Sequence, residues 1–167
     1  MRLVFAESQE SLEVVIGHLL SAHKQTLAIA ESCTGGLITH RLTNVPGSSG
    51  YLVAGVIAYA YEAKVAALGV SWDTLNQSGA VSEEVARAMA RGVREKFSST
   101  LGLAVTGIAG PGGGTPEKPV GLTYIALADA SGEIVKRYVW SGDRVQNKSY
   151  SAEAALKLLK RYLEKKD

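Results

Sequence analysis

Cysteine is nearly absent from this 167-residue chain: Cys33 is the only one, which excludes an internal disulfide and a cysteine-built zinc site. A surplus of charge is missing too. Eighteen Lys and Arg against sixteen Asp and Glu leave a formal +2, too little for electrostatic capture of nucleic acid. No Lys/Arg stripe with interleaved aromatics appears, and the closing KLLKRYLEKKD mixes signs as a solvated helix does. No apolar run reaches membrane-spanning length. The opening MRLVFAESQESLEVV carries acidic residues and lacks the basic-then-apolar pattern of a signal peptide. These absences predict a cytoplasmic protein that engages neither nucleic acid nor membrane. Carboxylates are scattered, and no His/Cys/Asp spacing matches a metal site, so no metal and no organic cofactor is expected. Internal repeats and a dividing linker are missing as well, so residues 1–167 read as one domain.

What is present is a core. Hydrophobic residues make up 46% and charged residues 20%, ordinary proportions for a chain long enough to bury its own interior. Residues 8–23 put Leu12, Val15, Ile16, Leu19 and Leu20 at helical spacing, with Ser8, Ser11 and Glu13 offering a start. Short apolar runs at 26–30, 51–59 and 101–109 predict three buried strands. Thr34 is expected to cap a helix that stops before Pro46. Residues 62–69 read as a short helix closed by Gly69, and 71–79 as a connection with about one helical turn. Ser82 opens a longer helix whose apolar face is Val85, Ala88, Met89 and Val93. VGLTYIALAD and IVKRYVWSGD flank ASGE as an antiparallel hairpin, and a last helix closes the chain. Helices alternating with buried strands predict a three-layer α/β/α sandwich on a mixed sheet of about five strands.

In such sheets ligands gather beyond the carboxyl ends of the parallel strands, and three unusual segments end there. The first, AIAESCTGG, brings Ser32 to a strand end. Ser32 can be punctuation before a helix, or a nucleophile beside the backbone N–H groups of Thr34, Gly35 and Gly36, which suit an oxyanion or a phosphate. The G-x-S-x-G elbow is absent, so this is no α/β-hydrolase. A serine nucleophile needs a base. His18 and His23 fall on the first helix and His40 two turns beyond Ser32, whereas Lys64 lies just past the second strand at the same sheet end. A free lysine titrates near about 10.4; lowering that to about 7–8, where it serves as a general base, costs roughly 4 kcal/mol. Tyr59, at the strand end, can hydrogen-bond Ser32 or the leaving group, or be a core tyrosine with a wet hydroxyl.

The second unusual segment, TGIAGPGGGTPEKPVG, has neither Walker A nor Rossmann spacing. Its Thr106, Gly107 and Gly110 are candidates to line a pocket, and a mobile lid is the competing reading. The third, SGDR, puts Asp143 and Arg144 at the start of the last helix. Arg144 can grip a phosphate or carboxylate, or pair with Asp143.

AESCTGG, GSSGYLVAGVIAYAYEAKVAALGV, GAVSE, TGIAGPGGG, EKPVG and SGDR, in this order, resemble the CinA carboxy-terminal domain family, members of which stand alone as nicotinamide-nucleotide amidases. The resemblance covers nearly the whole chain. It implies an anticodon-binding-domain-like fold, with one of five strands antiparallel. It implies a deamidase turning nicotinamide mononucleotide into nicotinic acid mononucleotide and ammonia in pyridine-nucleotide salvage. Ser32 matches the family's nucleophile, Lys64 its base, and Tyr59 the tyrosine opening the lysine segment. Ala60 and Tyr61 depart from the Ser and Asn frequent there. Arg144 or the glycine loop is expected to hold the 5′-phosphate. A noncatalytic nucleotide-binding module is the rival reading, and Cys33 the rival nucleophile, although strand alternation turns Cys33 toward the core. Oligomeric state stays open, a homo-oligomer included.

Overall fold

The computed structural model describes residues 10–165. The first half of the chain runs α1 (Leu12–Ala22), β1 (Leu27–Glu31), α2 (Leu37–Thr43), β2 (Leu52–Ile57), α3 (Tyr61–Leu68) and α4 (Trp72–Ser78). The second half runs α5 (Glu83–Lys96), β3 (Leu101–Gly107), β4 (Leu122–Ala128), β5 (Glu133–Val139) and α6 (Arg144–Glu164).

Side-chain size along the central strands sets the layers. Leu27, Ile29, Leu101, Leu103, Val105, Ile125 and Leu127 face α1, α2 and α6 in one core. Their neighbours Ala28, Ala30, Ala104, Ala126 and Ala128 face α3, α4 and α5 in the other. Small residues let α5 lie against the sheet: a Cβ on Gly102 would stand 2.1 Å from the Ala90 carbonyl oxygen. The three-layer arrangement follows, with each fully buried Leu or Ile contributing about 1.5–3 kcal/mol.

The strand order is β2-β1-β3-β4-β5. β1 is parallel to β2 and β3, while β4 is antiparallel to β3 and β5. One strand, β4, therefore runs against the other four, as the resemblance implied. The register pairs Glu31 with Ile57 and with Val105, and Gly107 with Thr123. Segments 31–36, 58–64, 107–121 and 140–148 thus meet at one edge of the sheet.

Several local expectations are corrected. β2 is an edge strand and not a buried one, with Val53 and Ile57 48% and 56% exposed, because one side has no neighbouring strand and α2 is too short to cover that face. The connection at 71–79 contains a seven-residue helix, α4, capped by Ser71 on the Thr74 N–H. β3 ends at Gly107 instead of residue 109. Ser11 caps α1 by accepting from the Val14 N–H, and Ser8 lies outside the described residues. No described helix is long and apolar enough to cross a membrane.

The β4–β5 hairpin is held by Asp129, whose carboxylate accepts from the Ser131 N–H and hydroxyl, the Gly132 N–H and the Tyr162 hydroxyl. The Ser131 hydrogen bond comes first among the causes that bring its carboxyl down to about 2. Asp129→Ala is expected to cost about 1–2 kcal/mol in urea unfolding at neutral pH. That stabilisation is complete above the unfolded carboxyl's ordinary value and is lost as pH falls through about 2.

Candidate active site

The turn after β1 is built on Glu31. Its carboxylate is fully buried and accepts from the N–H groups of Gly36 (3.1 Å), Ile38 (3.1 Å) and Thr39 (2.8 Å) and from the Thr39 hydroxyl (2.8 Å). It therefore does the capping expected of Thr34: Gly36 occupies the N-cap position, with no side-chain cap of its own. Gly35 and Gly36 sit at φ +62° and +98°, a left-handed path that suits glycine. The Gly35 N–H returns to the Ser32 carbonyl at 3.1 Å, and the Ser32 N–H donates to Val105 at 3.0 Å. Ser32 is held just past the carboxyl end of β1, 8% exposed.

Lys64 reaches it from α3. The side chain is 1% exposed; its Nζ lies 3.1 Å from Ser32 Oγ, 2.8 Å from the Ala58 carbonyl and 3.0 Å from the Tyr59 carbonyl. Burial holds the amine below the ordinary lysine range. As a neutral amine, Lys64 donates two N–H bonds to the carbonyls and turns its lone pair to the Ser32 hydroxyl. As an ammonium it donates to all three oxygens. Both protonation states are satisfied in one geometry, so a proton can cross from Ser32 to Lys64 and back without repacking. Ser32 Oγ is thus paired with Lys64, and not with His18, which faces Glu10 at 3.4 Å, His23 at the end of α1, or the exposed His40.

The remaining candidates are dispersed around this pair. The Tyr59 hydroxyl is not on Ser32: it accepts from Arg144 at 3.0 Å, and the residue is 59% exposed. Arg144 also donates to the Gly110 carbonyl at 2.7 Å, so it ties the glycine loop to the Tyr59 segment. It does not pair with Asp143, whose carboxylate caps α6 in a capping box with Gln146. Thr106 is buried, its hydroxyl donating to the Ala80 carbonyl at 2.8 Å. Gly107 closes β3 beside Cys33 Sγ. Of the three expected oxyanion donors, the Gly35 and Gly36 N–H groups are taken by Ser32 and Glu31. Among the described residues, the Thr34 N–H keeps no protein acceptor, and the Cys33 N–H meets only the weakly accepting sulfur of its own side chain.

Two residues escaped the sequence reading. Asn147, buried in α6, donates to the Ala109 carbonyl (3.1 Å) and accepts from the Gly142 N–H (3.0 Å); a polar residue on the inner face of an amphipathic helix was its only signal. Lys148, one helical turn beyond Arg144, stands beside Gly35. Ala60 caps α3 without a side-chain bond, and the Tyr61 hydroxyl accepts from the Ala80 N–H at 3.2 Å. The two residues that depart from the family's usual pair therefore shape α3 and the 79–82 loop.

The Cys33 side chain points into the core, and burial pushes its thiol up to about 12, which leaves no thiolate near neutral pH. Cys33→Ala is expected to cost about 1 kcal/mol for the lost sulfur contacts and to keep turnover within about threefold. A steady-state assay beside a melting curve checks both. Among the described residues, no three His, Cys, Asp or Glu side chains cluster as around a metal ion.

Fold and site together define a three-layer α/β protein with a serine and a buried lysine joined at the carboxyl edge of its sheet. The chain belongs to the CinA C-terminal domain family, which matches residues 9–163. A CinA-like protein of Syntrophotalea carbinolica is 51% identical over 160 residues, covering 96% of this chain and 39% of the relative. The chain thus spans about two fifths of the length of the curated relatives it matches. Among solved structures, the competence damage-inducible protein A (ComA) of Klebsiella pneumoniae is 30% identical at a TM-score of 0.89, covering 92% of this chain and 95% of that one. The competence/damage inducible protein CihA of Agrobacterium tumefaciens is 34% identical at 0.86, covering 98% and 99%.

Proposed function

We propose that the chain is an amidohydrolase that converts nicotinamide mononucleotide and water to nicotinic acid mononucleotide and ammonia. The observation that carries this reading is the 3.1 Å contact between Ser32 Oγ and a buried Lys64 with depressed basicity. The choice of a pyridine nucleotide rests on the likeness of the sequence motifs to the family.

Neutral Lys64 takes the Ser32 proton as Oγ attacks the carboxamide carbon. The resulting ammonium is held by the carbonyls of Ala58 and Tyr59. The N–H groups of Cys33 and Thr34 donate to the developing oxyanion. When the tetrahedral intermediate collapses, the C–N bond breaks and Lys64 passes its proton to the departing ammonia. Water then attacks the ester, with Lys64 again accepting a proton. The ester C–O bond breaks, Ser32 Oγ recovers the proton from Lys64, and the carboxylic acid leaves. Tyr59 and Arg144 form the rim over the substrate, braced by the glycine loop.

The test is ammonia release from nicotinamide mononucleotide, expected in the wild type. Tight binding of the nucleotide with no ammonia released would instead identify a nucleotide-binding module.

A further inference from the structure

Between the start of α2, which follows the Ser32 turn, and α6 lies a cavity of about 430 Å³ whose walls include Thr34, Gly35, Gly36, His40, Val145 and Lys148. Lys148 Nζ stands 3.6 Å from the point where a Gly35 side chain would begin, and its charge reaches the Cys33 thiol. Among the described residues it has neither an ion-pair partner nor a hydrogen-bond acceptor. Thr34, on the same wall, is 1% exposed, and its hydroxyl has no hydrogen-bond partner. A buried hydroxyl without a partner costs about 1–3 kcal/mol, and an unpaired ammonium on the same cavity supplies the positive charge an anion needs. The two carboxylates close to this region are committed to helix caps: Glu31 to the N–H groups at the start of α2 and Asp143 to the Gln146 N–H of α6.

Arg144 is another cation at this edge, but its guanidinium is already engaged with the Gly110 carbonyl and the Tyr59 hydroxyl, as Lys118 is with the Ser78 carbonyl. The second cavity nearby, about 480 Å³, is walled by Ala109, Pro111, Val120 and Val145 with both Asp143 and Arg144, so the Asp143 carboxylate offsets the charge that Arg144 brings to it. Lys148 keeps its three donors free. We propose that Lys148 and the Thr34 hydroxyl form the subsite that takes the phosphate of a mononucleotide substrate. This rests on the amidase reading for the identity of the substrate. It reassigns the phosphate from Arg144 and the glycine loop, which become the brace of the rim.

The experiment compares nicotinamide mononucleotide with its dephosphorylated nucleoside. Equilibrium binding is measured by calorimetry in Ser32→Ala, with and without Lys148→Ala and Lys148→Arg; ammonia release is measured separately in the Ser32-containing forms. The expected result is a tenfold or greater loss of preference for the nucleotide over the nucleoside in Lys148→Ala, carried by KM more than kcat and largely restored by Lys148→Arg. An equal effect on both ligands, no effect on either, or no binding of the nucleotide by the Ser32→Ala parent overturns the subsite. If the wild type releases no ammonia while binding still shows the Lys148-dependent preference, the amidase reading falls and the subsite stands. If ammonia is released and Lys148→Ala leaves the preference intact, the subsite falls alone. Melting curves show whether each variant is folded; Lys148→Glu, which reverses the charge, is expected to lose still more of the preference.

Discussion

Ser32→Ala is expected to lower ammonia release by at least about 10³-fold, and Lys64→Ala by about 10²–10⁴-fold, with the far-ultraviolet spectrum unchanged. The double variant should lose little more than the worse single one, because a nucleophile and its base act as a unit. Retention of more than a tenth of wild-type turnover in either single variant would remove the proposed chemistry. The pH profile provides an independent reading. Lys64 works as a base only when neutral, so kcat/KM should rise with pH through its free-enzyme titration. Burial puts that acid limb below the ordinary lysine value of 10.5. Stability follows the same titration. Between the depressed folded value and 10.5 the unfolded chain binds more protons than the folded one, so stability rises with pH across that window. The cost of burying Lys64 is felt in full below the folded value. Lys64→Met should remove this slope from denaturation curves measured at several pH values, while leaving the Ala58 and Tyr59 carbonyls without their donor.

Glu31→Gln is the substitution with the largest expected cost to the scaffold. The carboxylate is an acceptor only, and it meets four donors at the start of α2. An amide of the same shape turns N–H groups toward some of these donors and removes the charge that strengthens every bond. A loss of about 2–4 kcal/mol is expected in urea unfolding, with a fall in Tm of roughly 5–15 °C. Glu31→Ala should cost more, since all four donors then go unsatisfied. Turnover should fall with stability, because the turn that Glu31 closes carries Ser32 and the N–H groups of Cys33 and Thr34. A variant as stable and as active as the parent would show that α2 is capped by other means.

The central strands were readable because size alternation and unbroken apolarity are local properties: β1 and β3 appear in the sequence nearly as they are in the fold. β2 has much the same composition and reads the same way, yet it stands at the edge, since strand order is decided by which chains pair and not by any one of them. Ser82 and Asp143 were legible as helix starts from local capping chemistry. Thr34 was misread for the converse reason: a buried carboxylate three residues earlier folds back over the turn and takes the donors a cap would use.

Ser32, Lys64 and Tyr59 were legible as candidates from their positions at strand ends, and Arg144 from its place at the start of the last helix. The sequence alone thus determined the layers, the edge of the sheet where the candidate groups gather and the types of group found there. Only tertiary structure decided that Lys64 is stripped of water and shared among three oxygens, that Tyr59 turns to Arg144, and that Lys148 shares a cavity wall with Thr34. Desolvation and hydrogen-bond partnership depend on neighbours distant in the chain, and no local pattern encodes which acceptor a buried donor will meet.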